Sequence, residues 1–197
     1  MLHRLAVEAQ RRGDLALARQ LTERSLALDA GSFTTASALS VLSAVAAKEE
    51  RLGEALELAQ QSAVAAGSIN FAWFQAHALT LAAEFALRLD RLDVASERTK
   101  DALRLAQSIG DVMGIAYGLT TLACVAAQRG AAAQAGCLLG AVEAQAERGR
   151  IGQWEQEKDD YGAWLASAAG PEFERGRADG RRLSLEEAVA YALEREN

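Results

Sequence analysis

Proline is nearly absent from this sequence, with Pro171 the single example among 197 residues. Aromatic side chains make up only 6% of the chain, β-branched residues are sparse, and alanine and leucine dominate. Local propensity therefore favours helix almost everywhere and makes a strand-rich fold the wrong expectation. Lysine is scarce too, limited to Lys48, Lys100 and Lys158, and the net charge is −6. That balance argues against a phosphate-binding surface, whose affinity comes largely from Lys and Arg displacing counterions. Arginines gather toward the C-terminus (Arg148, Arg150, Arg175, Arg177, Arg181, Arg182), but Glu155, Glu157, Glu172, Glu174 and Asp179 interleave with them. The pattern reads as a solvated face.

Other absences narrow the chemistry. Cys124 and Cys137 are too few for a disulfide framework and lack metal-site spacing, so they are expected to be reduced thiols packed as small hydrophobes. His77 is the only histidine in the body of the chain, without a second His, Cys or carboxylate at ligand spacing, and no metal or other cofactor is expected. No lysine follows any glycine, so there is no phosphate-binding loop of the Gly-x-x-x-x-Gly-Lys type. With no nucleophile constellation either, the sequence points away from an enzyme. The longest near-apolar run, Ala36 to Ala47, contains three serines and is too short to span a bilayer. Charge interrupts the opening residues before a secretory apolar segment can form, which leaves the cytoplasm as the expected location.

What the sequence does contain is a repeat. Four segments align on Ala18, Ala55, Ala95 and Ala135, spaced by 37 and then twice by 40 residues. Sixteen residues upstream of these anchors stand Leu2, Leu39, Leu79 and Leu119, and thirteen upstream Leu5, Leu42, Ala82 and Leu122. Twelve upstream are Ala6, Ser43, Ala83 and Ala123, and nine upstream Ala9, Ala46, Ala86 and Ala126, all small enough to let two helix backbones approach. These offsets form an i, i+3, i+4, i+7 stripe. Leu15, Leu52, Leu92 and Ala132 follow just before the anchors, and Gly13 and Gly130 mark the turn within a pair.

The unit is thus helix, tight turn, helix. First helices are expected at about 2–12, 33–50, 71–89 and 112–128, and second helices at about 14–29, 53–67, 92–109 and 131–148. Gly31-Ser32, Ser68-Ile69-Asn70 and Gly110-Asp111 each offer a stop followed by a residue able to cap the next helix.

Beyond Arg148 the period breaks, as a terminal unit covering the last apolar face requires. Gln153 to Ala169 reads as a helix carrying Trp154, Tyr161 and Trp164, and Gly170-Pro171 stops one helix and starts another. Ser184-Leu185-Glu186-Glu187 is a capping box opening a last helix to about Arg195, with Leu185, Ala188, Val189 and Ala192 as its buried stripe. The expected fold is all-α: four helical hairpins over 1–148 and capping helices over 149–197, within one domain.

The small-residue and leucine columns, with Gly13-Asp14 before a helix ending Ser25-Leu26-Ala27-Leu28-Asp29, resemble tetratricopeptide repeats, although the period exceeds their usual 34 residues. Leu138-Leu139-Gly140-Ala141-Val142-Glu143, then Asp179-Gly180-Arg181 and Leu183 through Leu193, are similar to the C-terminal region of bacterial LuxR-type and related signal-transduction NTPase regulators. The pattern departs at Arg177, where an aromatic is usual, and in the loop 149–152. The resemblance implies an α-α superhelix and a sensor or partner-binding arm, whose nucleotide-binding and output domains lie elsewhere.

In such paired-helix arrays the first helices line a concave wall. The register places Ser37, Ser40, Ala44 and Lys48 on that face of the second pair, and His77, Thr80, Glu84 and Arg88 on the third. The fourth pair supplies Tyr117, Thr120, Cys124 and Gln128, and the first only His3, Val7 and Arg11. Ser40, His77, Thr80, Glu84, Arg88, Tyr117, Thr120, Cys124 and Gln128 are the candidate groove. Its mixed polarity suits a peptide backbone or a small polar ligand; the competing reading is an ordinary wall filled by the cap or a neighbouring molecule. Phe71, Trp73 and Phe74 read either as a staple to the adjacent unit or as a partner surface. The expected partner is a protein or peptide, or the missing domains of a parent regulator, with homodimerisation or small-ligand sensing as the alternative. Neither nucleic acid nor membrane is expected.

Overall fold

The computed structural model describes residues 2–28, 31–149, 151 and 161–194. Among the described residues every regular element is helical: α1 (Leu2–Arg11), α2 (Leu15–Leu28), α3 (Ser32–Lys48), α4 (Leu52–Gly67), α5 (Ala72–Arg88), α6 (Leu92–Ile109), α7 (Val112–Gln128) and α8 (Ala132–Arg148). A short α9 (Gly162–Leu165) runs into a 3₁₀ turn (Ala166–Ala168), and α10 (Pro171–Gly180) and α11 (Leu185–Glu194) follow. Each of the eight helices expected from the periodicity lies within two residues of its expected ends.

The turns explain the regularity. Five residues before each anchor alanine stands a residue in the left-handed conformation: Gly13 (φ 82°), Glu50 (φ 58°), Asp90 (φ 56°) and Gly130 (φ 76°). Around each, the same two hydrogen bonds close the preceding helix. The amide one residue further on donates to the carbonyl nine before the anchor (Asp14 to Ala9, Arg51 to Ala46, Arg91 to Ala86, Ala131 to Ala126), over 2.8–2.9 Å. The left-handed residue's own amide donates three residues back, as Gly13 does to Gln10 and Gly130 to Ala127. This is a Schellman cap, which satisfies the orphan carbonyls of a helix end. Glu50 and Asp90 adopt without glycine a conformation that costs a residue bearing a Cβ about 1 kcal/mol.

Between pairs the same device recurs at Asn70 (φ 55°) and Gly110 (φ 69°). Asn70 thus closes the end of α4, and Phe71 precedes α5 without a side-chain cap. Gly31 likewise precedes α3 without one. Asp111 and Asp14 do cap their helices, accepting from the Gly114 amide at 3.1 Å and the Leu17 amide at 3.0 Å.

The chain divides into two compact units, residues 1–91 and 92–197. In the first, α1 packs on α2 and α3, α2 on α3, α3 on α4 and α4 on α5. Ala18 and Ala55 are fully buried, as are Ala46, Ala83 and Ala86. Where the small-residue column carries Ser43, its hydroxyl donates to the anchor carbonyl of Ala55 at 2.8 Å, and Ser62 donates likewise to Ala36. A buried hydroxyl here costs nothing because its bond ties α3 to α4. Leu5, expected on the interior stripe, is 46% exposed instead: α1 is covered by α2 and α3 on one side only.

In the second unit α6 packs on α7 and α7 on α8, with Ala95 and Ala135 fully buried. The residues after 149 belong to this unit. Ala188, Val189 and Ala192 of α11 join Leu103, Ile115, Leu119, Leu138 and Val142 in one core, leaving Leu185 half-buried. The Ser184 capping box is formed: the Ser184 amide donates to Glu187 at 2.7 Å and the Glu187 amide to the Ser184 hydroxyl at 3.2 Å. Pro171 opens α10 as expected. Of the helix expected over Gln153 to Ala169, residues 153–160, Trp154 included, lie outside the described residues; 162–168 form α9 and its 3₁₀ continuation.

The closest helix pair in this unit is α8 with α10. Gly136 and Gly140 on α8 face Gly176 and Gly180 on α10, each pair one turn apart. A Cβ at Gly136 or Gly140 would overlap the backbone carbonyl of Phe173 or Arg177, and one at Gly176 or Gly180 that of Ala133 or Cys137. Matching residues ascend together, so the helices run parallel, main chain against main chain, as paired small-x-x-x-small motifs permit. With no side chains between them, register rests on what flanks the seam. Arg177 donates through Nε and Nη2 to both oxygens of Glu143 at 2.7 Å, and Arg181 through Nη2 to both oxygens of Glu147 at 2.7 Å. The guanidinium of Arg177 is a fork-shaped donor suited to a carboxylate. Arg181 is exposed, as expected of a solvated face, and Arg177 is half-buried; both pair with the acids of α8.

Gly140→Ala is expected to lower stability by about 1–3 kcal/mol, because the added carbon meets a carbonyl that cannot rotate away. Gly53→Ala, which meets nothing within 4 Å, is expected to be neutral or stabilising by up to ~1 kcal/mol. Urea unfolding followed by circular dichroism distinguishes the two.

The hydrogen bonds from the Ser184 backbone and hydroxyl lower the pKa of Glu187 below its ordinary value. A lowered folded-state pKa contributes stability at pH values above the unfolded-state pKa, and that contribution is lost as pH falls through the folded-state value. The advantage of the parent chain over Glu187→Gln should therefore be full at pH 6–7 and vanish in acid, which thermal melts across that range would register.

Candidate partner-binding surfaces

The helix face expected to line a groove is accessible along α5 of the first unit and partly covered along α7 of the second. In the second unit, α9, the 3₁₀ turn and α11 all pack on α7. Thr120 and Cys124 are consequently fully buried, with the Thr120 hydroxyl donating to the Ala116 carbonyl at 2.9 Å. Tyr117 is half-buried against the core that receives α11. The Gln128 amide donates to the Trp164 carbonyl at 2.9 Å and to the Ser167 hydroxyl at 3.1 Å. Of these four candidates, Gln128, itself exposed, bonds the C-terminal segment directly, Tyr117 packs on the core that includes α11, and Thr120 and Cys124 are buried. A helix face that is only mildly polar is as good a seat for a cap as for a ligand, and periodicity does not say which will occupy it.

Burial raises the Cys124 thiol to about 12, so it carries no thiolate at neutral pH and is inert toward electrophiles. Cys137 is also buried. In the native protein Cys124 should react with a maleimide only as fast as the cap opens. The Gly140→Ala substitution, by loosening the neighbouring α8–α10 seam, is expected to raise that rate several-fold in mass-resolved labelling.

In the first unit the wall stays accessible. His77 is exposed, and Thr80, Glu84, Arg88 and Ser40 are half-buried. Along α5 the first four follow one another at steps of three and four residues on one face. The Thr80 hydroxyl donates back to the Ala76 carbonyl at 3.0 Å. Arg88 reaches from the end of α5 to Glu50, its Nη2 3.3 Å from a carboxylate oxygen. Lys48, at the end of α3, donates to the Gln10 carbonyl at 2.7 Å. Ser37, by contrast, is buried.

The other end of the wall is aromatic. Phe33 at the start of α3 meets Phe71 and Phe74, with ring centroids 5.9 and 6.4 Å apart. Trp73 stacks on His77 at 5.9 Å and 7°. These rings do not simply staple a helix start to its neighbour, since Phe33 is 53% exposed, Trp73 45% and Phe71 36%. Separations near 6 Å leave no room for a guest between the rings, so the cluster is a surface and not a cage.

The sequence reading missed Phe33, although the repeat register contained the signal. Twenty-two residues before successive anchors stand Phe33, Trp73 and Met113, and all three are large, apolar and exposed. Twenty-six before the third and fourth anchors stand Ile69 and Ile109, exposed likewise. This column belongs neither to the interior stripe nor to the four wall columns.

Charge is distributed to match in the first unit. No Asp, Glu, Lys or Arg occurs between residues 30 and 47, or between 58 and 83. The opposite ends of the same helices carry Lys48, Glu49, Glu50, Arg51, Glu54, Arg88, Asp90 and Arg91. Arg19 pairs with Glu49 at 3.1 Å, and Arg51 with Glu49 and Glu54. Such exposed pairs contribute little stability each; along α3 and α5 formal charge is concentrated toward one end, while Arg4 of α1 and Glu23 and Arg24 of α2 lie outside this pattern.

No family model matches this sequence, and no curated protein or solved structure matches it either. No group of three or more His, Cys, Asp or Glu among the described residues is arranged to hold a metal ion. No helix there is long and apolar enough to cross a membrane.

Proposed function

We propose that this chain is a non-enzymatic, tetratricopeptide-like scaffold that holds a protein or peptide partner along the α5 face of its first unit. The observation that carries this reading is the contrast between two equivalent faces. Of the four α7 positions Thr120 and Cys124 are fully buried, while on α5 His77, Thr80, Glu84 and Arg88 all stay within reach of solvent. Four turns of identical construction favour superhelical stacking of the hairpins, and that architecture presents extended binding walls. The resemblance of residues 138–143 and 179–193 to bacterial regulators makes the sensor or partner-binding arm of a cytoplasmic transcriptional regulator the best-supported setting.

The face has a polar stretch able to bind main-chain amides and carbonyls, with Glu84 and Arg88 to fix direction. Capture from native lysate, read by native mass spectrometry, tests it. The Glu84→Ala/Arg88→Ala double variant should lose at least about fivefold in captured partner, while Glu172→Ala in α10 should capture as the parent does. Equal capture by both variants, with melting temperatures unchanged, would overturn the assignment. A bound small molecule in place of a protein would convert the reading to ligand sensing at the same face.

A further inference from the structure

The aromatic end of the first unit has properties that partner binding along α5 does not use. It gathers Phe33, Phe71, Trp73 and Phe74 with Ile69 beside them, in a stretch of chain without formal charge. Aromatic enrichment with depletion of charge is the compositional mark of an interface centre. From these observations we propose that this end is where two copies of the chain associate, ring cluster against ring cluster.

Three considerations select a second copy as the occupant. A contact related by a two-fold axis sets the same patch against itself, so the patch must be self-complementary. Aromatic rings meet this condition because they pair favourably with one another in tilted and edge-on arrangements. The second consideration is charge. Two molecules of net charge −6 repel, and like charges set directly opposite one another across an interface are costly. The charge-free first halves of α3 and α5 let the ring clusters meet with the charges of those two helices held toward their far ends, while nearby Glu23 and Arg24 of α2 contribute one charge of each sign. The third is area: the exposed parts of Phe33, Phe71, Trp73 and Ile69 amount to roughly 350 Å² of apolar surface. That supplies most of the apolar share of the ~800 Å² that each partner contributes to a standard interface, and His77, Asn70 and Ser32 furnish a polar rim.

A membrane surface fits worse, since interfacial helices combine such rings with Lys and Arg, which this stretch lacks. Rings packed on one another form no cage for a cationic ligand.

Sedimentation velocity on the full chain between 1 and 500 µM is the test. A species of twice the 20.9 kDa chain mass should form, and should persist in 1 M NaCl because apolar contact is not screened. Trp73→Glu and Phe33→Glu, both at exposed positions, are each expected to weaken dimerisation by at least about 30-fold. The Glu84→Ala/Arg88→Ala variant should dimerise as the parent does, so failure of the α5-face assignment and failure of this one are told apart. Hydrogen exchange of amides 68–77 in the unsubstituted chain, slowing as concentration rises, gives the same readout without a variant. A monomer at 500 µM overturns the proposal, as does a dimer indifferent to both substitutions. Capture of a different protein through Phe33 and Trp73 by a chain that stays monomeric does so too.

Discussion

Close approach of helix backbones, permitted by side chains of one carbon or none, is the constraint on which the rest depends. In the first unit the approach runs through Ala18, Ala46, Ala55, Ala83 and Ala86, all fully buried. In the second it reaches its limit at α8 and α10, where glycine is required on both sides. An alanine buries little apolar area, so each contributes less by transfer from water than a leucine would. The compensation is that more of the helix surface is brought into van der Waals contact. Hydroxyls fit the same seams only where a carbonyl across the gap accepts them, as Ser43 and Ser62 show.

A core assembled from small side chains demands exact spacing from the connections, and the turns provide it. Six helix ends close with the same pair of hydrogen bonds around one left-handed residue. Glycine occupies three of these positions, and Glu50, Asn70 and Asp90 occupy the others. The two acidic residues accept an unfavourable backbone conformation within the charged end of the hairpins, where Glu50 also receives Arg88. Backbone geometry and surface electrostatics thus meet at one residue.

Helix positions were legible in the sequence because three signals agreed: alanine-rich propensity, a stripe at helical spacing, and a repeat that placed the stripe in register four times. The stripe at Ala188, Val189 and Ala192 and the capping box at Ser184 were legible for the same reason. The glycines at 136, 140, 176 and 180 carried a readable motif, yet on a polar helix such as α10 it looks like poor helix propensity until a second glycine pair lies opposite. The groove was legible as a set of positions and not as a set of accessible side chains. Thr120 and Cys124 obey the same register as Thr80 and Glu84, and only the docking of residues 161–194 tells them apart. Phe33 went unnoticed because exposed apolar residues have no periodic rule of their own; it stands out only when Trp73 and Met113 are placed in the same column.

The seam between α8 and α10 has one more implication. Its recognition chemistry is almost wholly main chain, so it discriminates by thinness, not by shape or polarity. Any segment exchanged for residues 171–180 must carry glycine at both matching positions, whatever its remaining sequence, and a helix that is elsewhere ideal will be refused.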